Sequence, residues 1–442
     1  MPFQLSTIAQ ILKIDYKKAV RDQLNNSTVL HKRIGKETES YQGSVAQLAL
    51  HTGRNTGVGA RGESATLPTA GAQGYRNASF TASYLYGRIQ LTGPSMAATR
   101  NDVGSYLRGL NSEMKGLVRD LKVDVNRQAW HDGSSVLAIT GTGATSATVP
   151  VVSSKFLRAG QNIIITSKAN ALAVSAVISS VDSATQITLT ASKTFGTADV
   201  IVEGVTPTGT TGSRNFTDAT TFQTPLEMWG LEAIVSDINP GRSRTLSTGT
   251  DIGEVGFSNS ASTGWFGQID RTADTFWQAN VLAAYAPGGT GADRDLDLDI
   301  MQEGFDLTDI EADEAPGLIM TNHAGKRRYA ALLQADKRYP SGGEITLDGG
   351  YRALEFNGVP LVADKDASLT QNAGVLKRFY FLTTSTLKFL VMSDWQWMDE
   401  DGAMLSRVAG KDEYEATMYS YQQLACDRPN ANTLLDNIKE TA

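Results

Sequence analysis

The chain has 442 residues, 41% apolar and 20% charged, with a net charge of −7 and one cysteine, Cys426. That length exceeds the size at which a single core stops growing, so two or more lobes are expected. The lone cysteine excludes a disulfide scaffold and fits a reducing cytoplasm, and the acidic balance argues against a sequence-reading nucleic-acid binder, which carries a basic face.

No apolar run approaches the roughly 20 residues of a membrane span, so no membrane association is expected. Met1 to Ala19 lacks the basic start and apolar block of a signal peptide. The 42 glycines, with abundant Thr, Ser and Ala, favour turns and small-residue strands over a helical bundle. Charge is unevenly spread. Residues 1–60 hold eight Lys/Arg against four Asp/Glu, whereas 291–317 hold ten Asp/Glu against Arg294 alone. Solvated faces explain such a bias more often than a polyanion partner does.

Residues 4–24 read as an amphipathic helix, with Leu5, Ile8, Ile11, Leu12, Tyr16, Ala19 and Val20 on one stripe and a capping box from Thr7 to Gln10. An arm this long has little of its own to pack against. Strands are expected over 44–50 and 78–91, separated by His51 to Asn77, which contains six glycines and only two large aliphatics, Val58 and Leu67. Connections beyond about 12–15 residues are unusual in compact domains. This one carries too little apolar surface to offset its ordering entropy in a monomer, so it reads as a projecting hairpin that either stays mobile or is held by neighbouring subunits; apolar character on both faces of its strands favours the second.

Residues 101–132 follow as one uninterrupted helical stripe: Val103, Tyr106, Leu107, Leu110, Met114, Leu117, Val118, Leu121, Val125 and Trp130 recur in steps of three and four. Asp102 is a good N-cap and Gly133 a left-handed stop, which gives a rod of about 45 Å. From 133 to 215 only eight of 83 residues are charged. Short β-branched runs at 148–152, 162–166, 174–181, 186–190 and 200–205 are separated by turn residues, as in a small inserted β-barrel or sandwich. Beyond Phe216, helices are expected at 224–238, 272–286 and 322–334, and strands at 318–321, 359–364, 379–382 and 387–392. Residues 416–425 fit either state. The mixture makes the fold class α+β.

Little of the sequence points to catalysis. Gly57-Val-Gly-Ala-Arg-Gly62 matches a dinucleotide fingerprint as a string, but it opens no helix, and no acidic residue falls between Glu63 and Asp102. Asp293, Asp295, Asp297 and Asp299 alternate with apolar residues, yet no frame supplies the glycine and terminal glutamate of a calcium loop; a solvated strand edge or helix start fits better. Asp394-Trp-Gln-Trp-Met-Asp-Glu-Asp-Gly402 has the carboxylates and tryptophans of a sugar site, but two tryptophans packing a strand end before an Asp-Gly turn are more ordinary. His31, His51, His131 and His323 show no ligand spacing. No Walker loop, G-x-S-x-G or H-E-x-x-H occurs, so neither enzyme chemistry nor a cofactor or metal is expected.

The order of several stretches resembles tailed-bacteriophage major capsid proteins of the Hong Kong ninety-seven fold. These are Gly62-Glu-Ser-Ala-Thr-Leu-Pro68, Tyr84-Leu-Tyr-Gly-Arg-Ile-Gln-Leu-Thr92, Glu113-Met-Lys-Gly-Leu-Val-Arg-Asp120 and Asn126-Arg-Gln-Ala-Trp-His-Asp-Gly133. Gly267-Gln-Ile-Asp-Arg271, Asp336-Lys-Arg-Tyr339, Phe356-Asn-Gly-Val-Pro-Leu-Val-Ala-Asp364, Trp397-Met-Asp-Glu-Asp-Gly402 and Gly410-Lys-Asp-Glu-Tyr414 continue the series. The resemblance implies an amino-terminal arm (1–40), an extended loop (41–100), a spine helix (101–132) and an inserted β domain (133–215). It further implies a peripheral domain resuming over 216–290, an axial domain over 291–390 and a carboxy-terminal return over 391–442.

It also implies hexamers and pentamers closing into an icosahedral shell around double-stranded DNA, assembled in a host cytoplasm and ending in the virion. Portal and scaffolding proteins, the scaffold separate from this chain, and a decoration protein are the partners that go with it. Some relatives cross-link through a loop lysine. No lysine lies between Lys36 and Lys115, so non-covalent subunit contacts through Arg54, Arg61, Glu63 and Arg76 are expected. An encapsulin-like nanocompartment is the near alternative, and a β-rich surface adhesin the more distant one.

Overall fold

The structure is a computed structural model that describes residues 28–38, 41–94, 103–131, 133, 136–166, 173–197, 199–204, 227–235, 265–271, 273–282, 294–312, 314–335, 344–347, 351–367, 377–398 and 405–438. The arm helix expected over 4–24 lies outside these residues.

The long helix runs from Val103 to Trp130, within two residues of the sequence expectation at each end. Its stripe buries progressively. Met114, Leu117, Val118 and Leu121 are half-buried, whereas Val125, Ala129 and Trp130 are buried, and Gly133 follows with φ of 85°. Its middle lies against a strand at Gly87, where a Cβ would stand 2.7 Å from a Leu121 methyl and 2.9 Å from one of Leu117. Glycine there lets helix and sheet approach.

That strand, Ser83–Thr92, belongs to a five-stranded sheet built from distant pieces: Gly35–Glu37, Leu387–Trp397, Glu413–Cys426 and Ser406–Arg407 complete it. The stretch 416–425 is therefore strand. The single strand expected over 78–91 is two. Gly74–Thr81 pairs with Val45–Gly53 in a hairpin, and after Ala82 the chain changes partner and pairs with Glu413–Cys426. The reason is packing. Ala78, Phe80 and Ala82 are buried on even positions before the break, and Ser83, Leu85 and Leu91 on odd positions after it.

The charge-poor segment forms a six-stranded sheet that, among the described residues, pairs only with itself, in the order Val136–Ile139, Val200–Glu203, Asn162–Thr166, Ala173–Ser183, Gln186–Phe195, Ala144–Pro150. Its first strand was not expected from the sequence. Leu137, Val149, Ile163, Ile178, Ile187, Leu189 and Ile201 belong to a core of its own. First and last strands are neighbours, with Val136 opposite Val202, so the chain enters and leaves this unit side by side.

A seven-stranded sheet holds Leu318–Thr321 and Lys377–Leu382 at its centre. Leu298–Ala312 and His323–Ala335 cover one face of it: Gly304 lies against Phe381, and Gly325 against Phe379 and Thr321. Asn322 caps the second helix, its Oδ1 accepting the Gly325 N–H at 2.7 Å. The Asp row proves to be a helix start, with Asp297 Oδ1 accepting the Asp299 N–H; Asp293 lies outside the described residues.

Two helix expectations are overturned. Within 272–286 the described residues form a 3-10 turn at Thr275–Trp277 and a strand at Asn280–Leu282, because the latter pairs in parallel with Thr433 to Leu435. Of 224–238 the described residues are 227–235, the rest of the expected helix lying outside them; among these Leu231–Ile234 is helical, and 227–230 precede it without helix. Two contacts limit it. Gly230 presses on the carbonyls of Gln128 and His131, and the Arg271 guanidinium donates to the carbonyls of Ala233 at 2.7 Å and Ile234 at 3.0 Å.

Candidate functional site

Two kinds of feature distinguish themselves: a buried polar joint where the chain's parts meet, and exposed surfaces that a lone subunit leaves uncovered. The joint lies at the carboxy end of the long helix. Asn126 Nδ2 donates to Asp364 Oδ2 at 3.1 Å and Asp366 Oδ2 at 2.8 Å, and the Leu30 N–H also reaches Asp364. Lys155, from the six-stranded unit, donates to the Lys365 carbonyl. Burial lowers its ammonium to about 8 and raises the Asp366 carboxyl.

One residue on, Arg127 donates to Glu227 at 2.7 Å and Asp124 at 2.8 Å. Nearby, Arg378 bonds Glu232 at 2.6 Å and Asp436 at 3.2 Å. Charges taken this far from water must be paired, and removing one partner of such a pair typically costs about 3–5 kcal/mol. The network joins the long helix to the seven-stranded sheet, and Lys155 brings in the six-stranded unit. Among the described residues no three His, Cys, Asp or Glu side chains group as a metal site. Cys426 is buried, and burial pushes its thiol up to about 12, where it is inert.

The exposed features start at the hairpin. Phe80 anchors its base, edge-on to Phe266 at 5.2 Å, while the Ser79 N–H reaches the Gly267 carbonyl at 2.8 Å. Beyond the strands, residues 54–73 make mostly short local bonds. Asn55 Oδ1 accepts the Gly57 N–H at 2.7 Å, and Ala65 N–H closes a turn on Gly62. Val58 and Leu67 are 84% and 82% exposed. Arg54, Arg61 and Glu63 all lie exposed on this loop, Arg61 folding back on the Ala60 carbonyl. Arg76 stands apart from them on the hairpin strand, where it pairs with Asp274 of the same chain at 3.2 Å.

The second exposed surface is one that sequence reasoning did not single out. The long helix covers one face of the five-stranded sheet; the other carries Tyr84, Tyr86, Tyr419 and Tyr421. Tyr421 meets Tyr84 edge-on at 5.0 Å and Tyr419 at 5.0 Å, and Tyr86 donates to the Tyr421 hydroxyl. Tyr84 and Tyr86 remain more than half exposed. Further along the same face Arg88 pairs with Glu415, and Gln90 with Glu413. The signal was present in Tyr84-Leu-Tyr and Tyr419-Ser-Tyr, whose alternation places the aromatic rings on one side. Only the pairing of two strands more than 300 residues apart assembles them.

The sequence matches no protein-family profile and no curated protein. Solved structures do match. The cyanophage A-1(L) capsid subunit is similar over 99% of this chain and 99% of its own, at 10% identity and a TM-score of 0.57. The capsid of a native GTA particle aligns over 97% and 96% at 8% identity with a TM-score of 0.45. The holo-SrpI encapsulin complex from Synechococcus elongatus aligns over 100% and 98% at 10% identity with a TM-score of 0.44. The cyanophage likeness establishes a shared fold along essentially the whole chain.

Proposed function

We propose that this chain is the major capsid protein of a tailed phage, closing as hexamers and pentamers into an icosahedral shell around double-stranded DNA. The observation that carries the reading is end-to-end likeness to a capsid subunit in a chain whose own loop and tyrosine face lack cover. A stable interface typically buries about 1,200–2,000 Å². The projecting loop and the exposed sheet face offer surface for such contacts, and many modest contacts that close on themselves stabilise the whole.

In this reading residues 1–40 are the arm, 41–100 the extended loop, 101–132 the spine and 133–215 an inserted module. The peripheral part resumes over 216–290, 291–390 is axial, and 391–442 returns to both. Arg54, Arg61, Glu63 and Arg76 contact a neighbouring subunit, Arg76 while also paired with Asp274 of its own chain. The acidic subunit suits DNA that is confined rather than gripped. A separate scaffold, a portal and a decoration protein complete the expected partners. Expression of the full chain, alone and with its scaffold, followed by electron microscopy tests this. Closed shells are expected; particles that never exceed a monomer or trimer by light scattering would overturn it.

A further inference from the structure

Two helices of opposite charge lie on the same face of the seven-stranded sheet. Leu298–Ala312 carries Asp299, Glu303, Asp306, Asp309 and Glu311 and no Lys or Arg, whereas His323–Ala335 carries Lys326, Arg327 and Arg328 and no Asp or Glu. Their inward sides are committed to the sheet, through Gly304 on Phe381 and Gly325 on Phe379. Within the chain, Arg328 meets Asp295 just ahead of the acidic helix at 3.1 Å.

The outward side of the acidic helix is shaped. Asp299, Gln302, Glu303, Asp306, Leu307 and Ile310 line a shallow groove of about 360 Å³. Ile310 at its end is 73% exposed. Asp299, Glu303 and Asp306 stand at helical spacings of four and three, so they repel one another along one stripe. On the basic helix Arg327 is exposed, and Leu333 is 42% exposed. One helix thus presents acid around an aliphatic anchor, and the other presents base beside a second aliphatic.

We propose that the acidic face of Leu298–Ala312 docks against the basic helix His323–Ala335 of a second copy of this chain. The contact is head to tail. Each copy offers its acidic helix to one neighbour and its basic helix to the other, which is the heterologous arrangement that closes rings. Complementary charge sets register and rejects the reversed approach, since acid against acid is repelled. The proposal deepens the shell reading and rests on it, by naming which surfaces meet around a ring of subunits.

Charge reversal tests it. One variant carries Glu303→Lys with Asp306→Lys, the other Lys326→Glu with Arg327→Glu, both in the full chain. Each is expected to keep the wild-type circular dichroism and to lose assembly by electron microscopy and light scattering. A chain bearing all four changes should regain closed shells. An equal mixture of the two variants should alternate around rings, giving six-membered rings but no five-membered ones, because alternation needs an even number.

Should a reversal spoil folding, Glu303→Gln with Asp306→Asn is the milder probe. It should raise the protein concentration needed for assembly by about tenfold, and an unchanged concentration would overturn the contact. If the acidic face served some other basic partner, the Lys326→Glu, Arg327→Glu variant would assemble normally, which also overturns it. Wild-type shells together with unaffected variants, or a fourfold variant that stays unassembled, defeat the contact alone. A wild-type chain that never assembles defeats the shell reading and this contact with it.

Discussion

Two β-rich excursions leave the body of this protein, and they solve the problem of ordering themselves in opposite ways. The six-stranded unit from Val136 to Glu203 buries Ile163, Ile187 and Ile201 completely in a core of its own. The hairpin that starts at Val45 has no core of its own: it buries Ala46, Leu50, Ala78 and Phe80 in the core of the body, and its loop exposes both large aliphatics it has. Each ordered residue costs roughly 1–2 kcal/mol of backbone entropy. An excursion with a core meets that cost internally; one without it needs something outside the chain. The six-stranded unit is thus a folding unit, and under the shell reading the loop is a contact that a neighbouring copy completes.

The largest effect expected from this contrast is inside the six-stranded unit. Ile163→Ala removes a fully buried side chain, a change that typically costs about 2–5 kcal/mol. Because the unit, among the described residues, pairs only with itself and enters and leaves through adjacent strands, the loss should stay local. Hydrogen exchange resolved by peptide should show residues 136–203 opening while Val125 to Trp130 keep their protection. Equal loss of protection in the long helix would mean that the two fold as one and the contrast is false.

Acid should separate the regions by a smaller amount. His31 is held at about 4 instead of 6.5, chiefly by burial and then by Lys36 and Lys122, with Lys32 adding and Asp394 opposing. Its ring packs on Phe389. Burial also lowers His131 against the pull of Glu232. A folded-state value below the unfolded one means the unfolded chain binds the extra proton. Stability is then fully present above pH 6.5 and is lost as pH falls toward 4, by roughly 2–3 kcal/mol for His31.

Residues 136–203 contain no histidine, and all six tryptophans lie outside them. Denaturation followed by tryptophan fluorescence therefore reports the body. Its midpoint should fall between pH 6.5 and 4, and His31→Gln should flatten that fall. An equally steep fall in the variant would remove His31 from the account.

Much of this was legible in advance, and the failures have identifiable causes. Asn162–Thr166 and Leu318–Thr321 match their expected bounds because their apolar runs are short and closed by turn residues. The helix stripe is long and periodic, so it was placed within two residues. The break at Ala82 was visible as a switch of buried parity from Phe80 to Leu85, but a local pattern does not say that the sheet partner changes. Nothing near Asn280–Leu282 announces a parallel partner at Thr433 to Leu435, and helix-like spacing won by default. Among the expected contact residues, Arg54, Arg61 and Glu63 share the loop, while Arg76 stands on the hairpin strand. Asp274, which pairs with it, lies almost 200 residues away and carries no mark of that role.

The smallest stability effect carries the most weight for function. Val58→Ser with Leu67→Ser removes exposed side chains that touch no core, and surface changes of that kind usually stay within about 0.5 kcal/mol. Arg61→Glu falls in the same class, since its exposed guanidinium folds back on the neighbouring Ala60 carbonyl. Unfolding midpoints of these variants should therefore match the wild type, while shells fail to close or need far more protein to form. Gly87→Val makes the opposite control. Its side chain would collide with Leu117 and Leu121, so overpacking of about 1–3 kcal/mol should weaken the subunit itself. If the loop variants lost stability as Gly87→Val does, the loop would be part of the subunit's own fold. If they stayed stable and still assembled, the exposed aliphatics would have no neighbour to meet. Only stable subunits that do not assemble fit a loop whose partner is another copy.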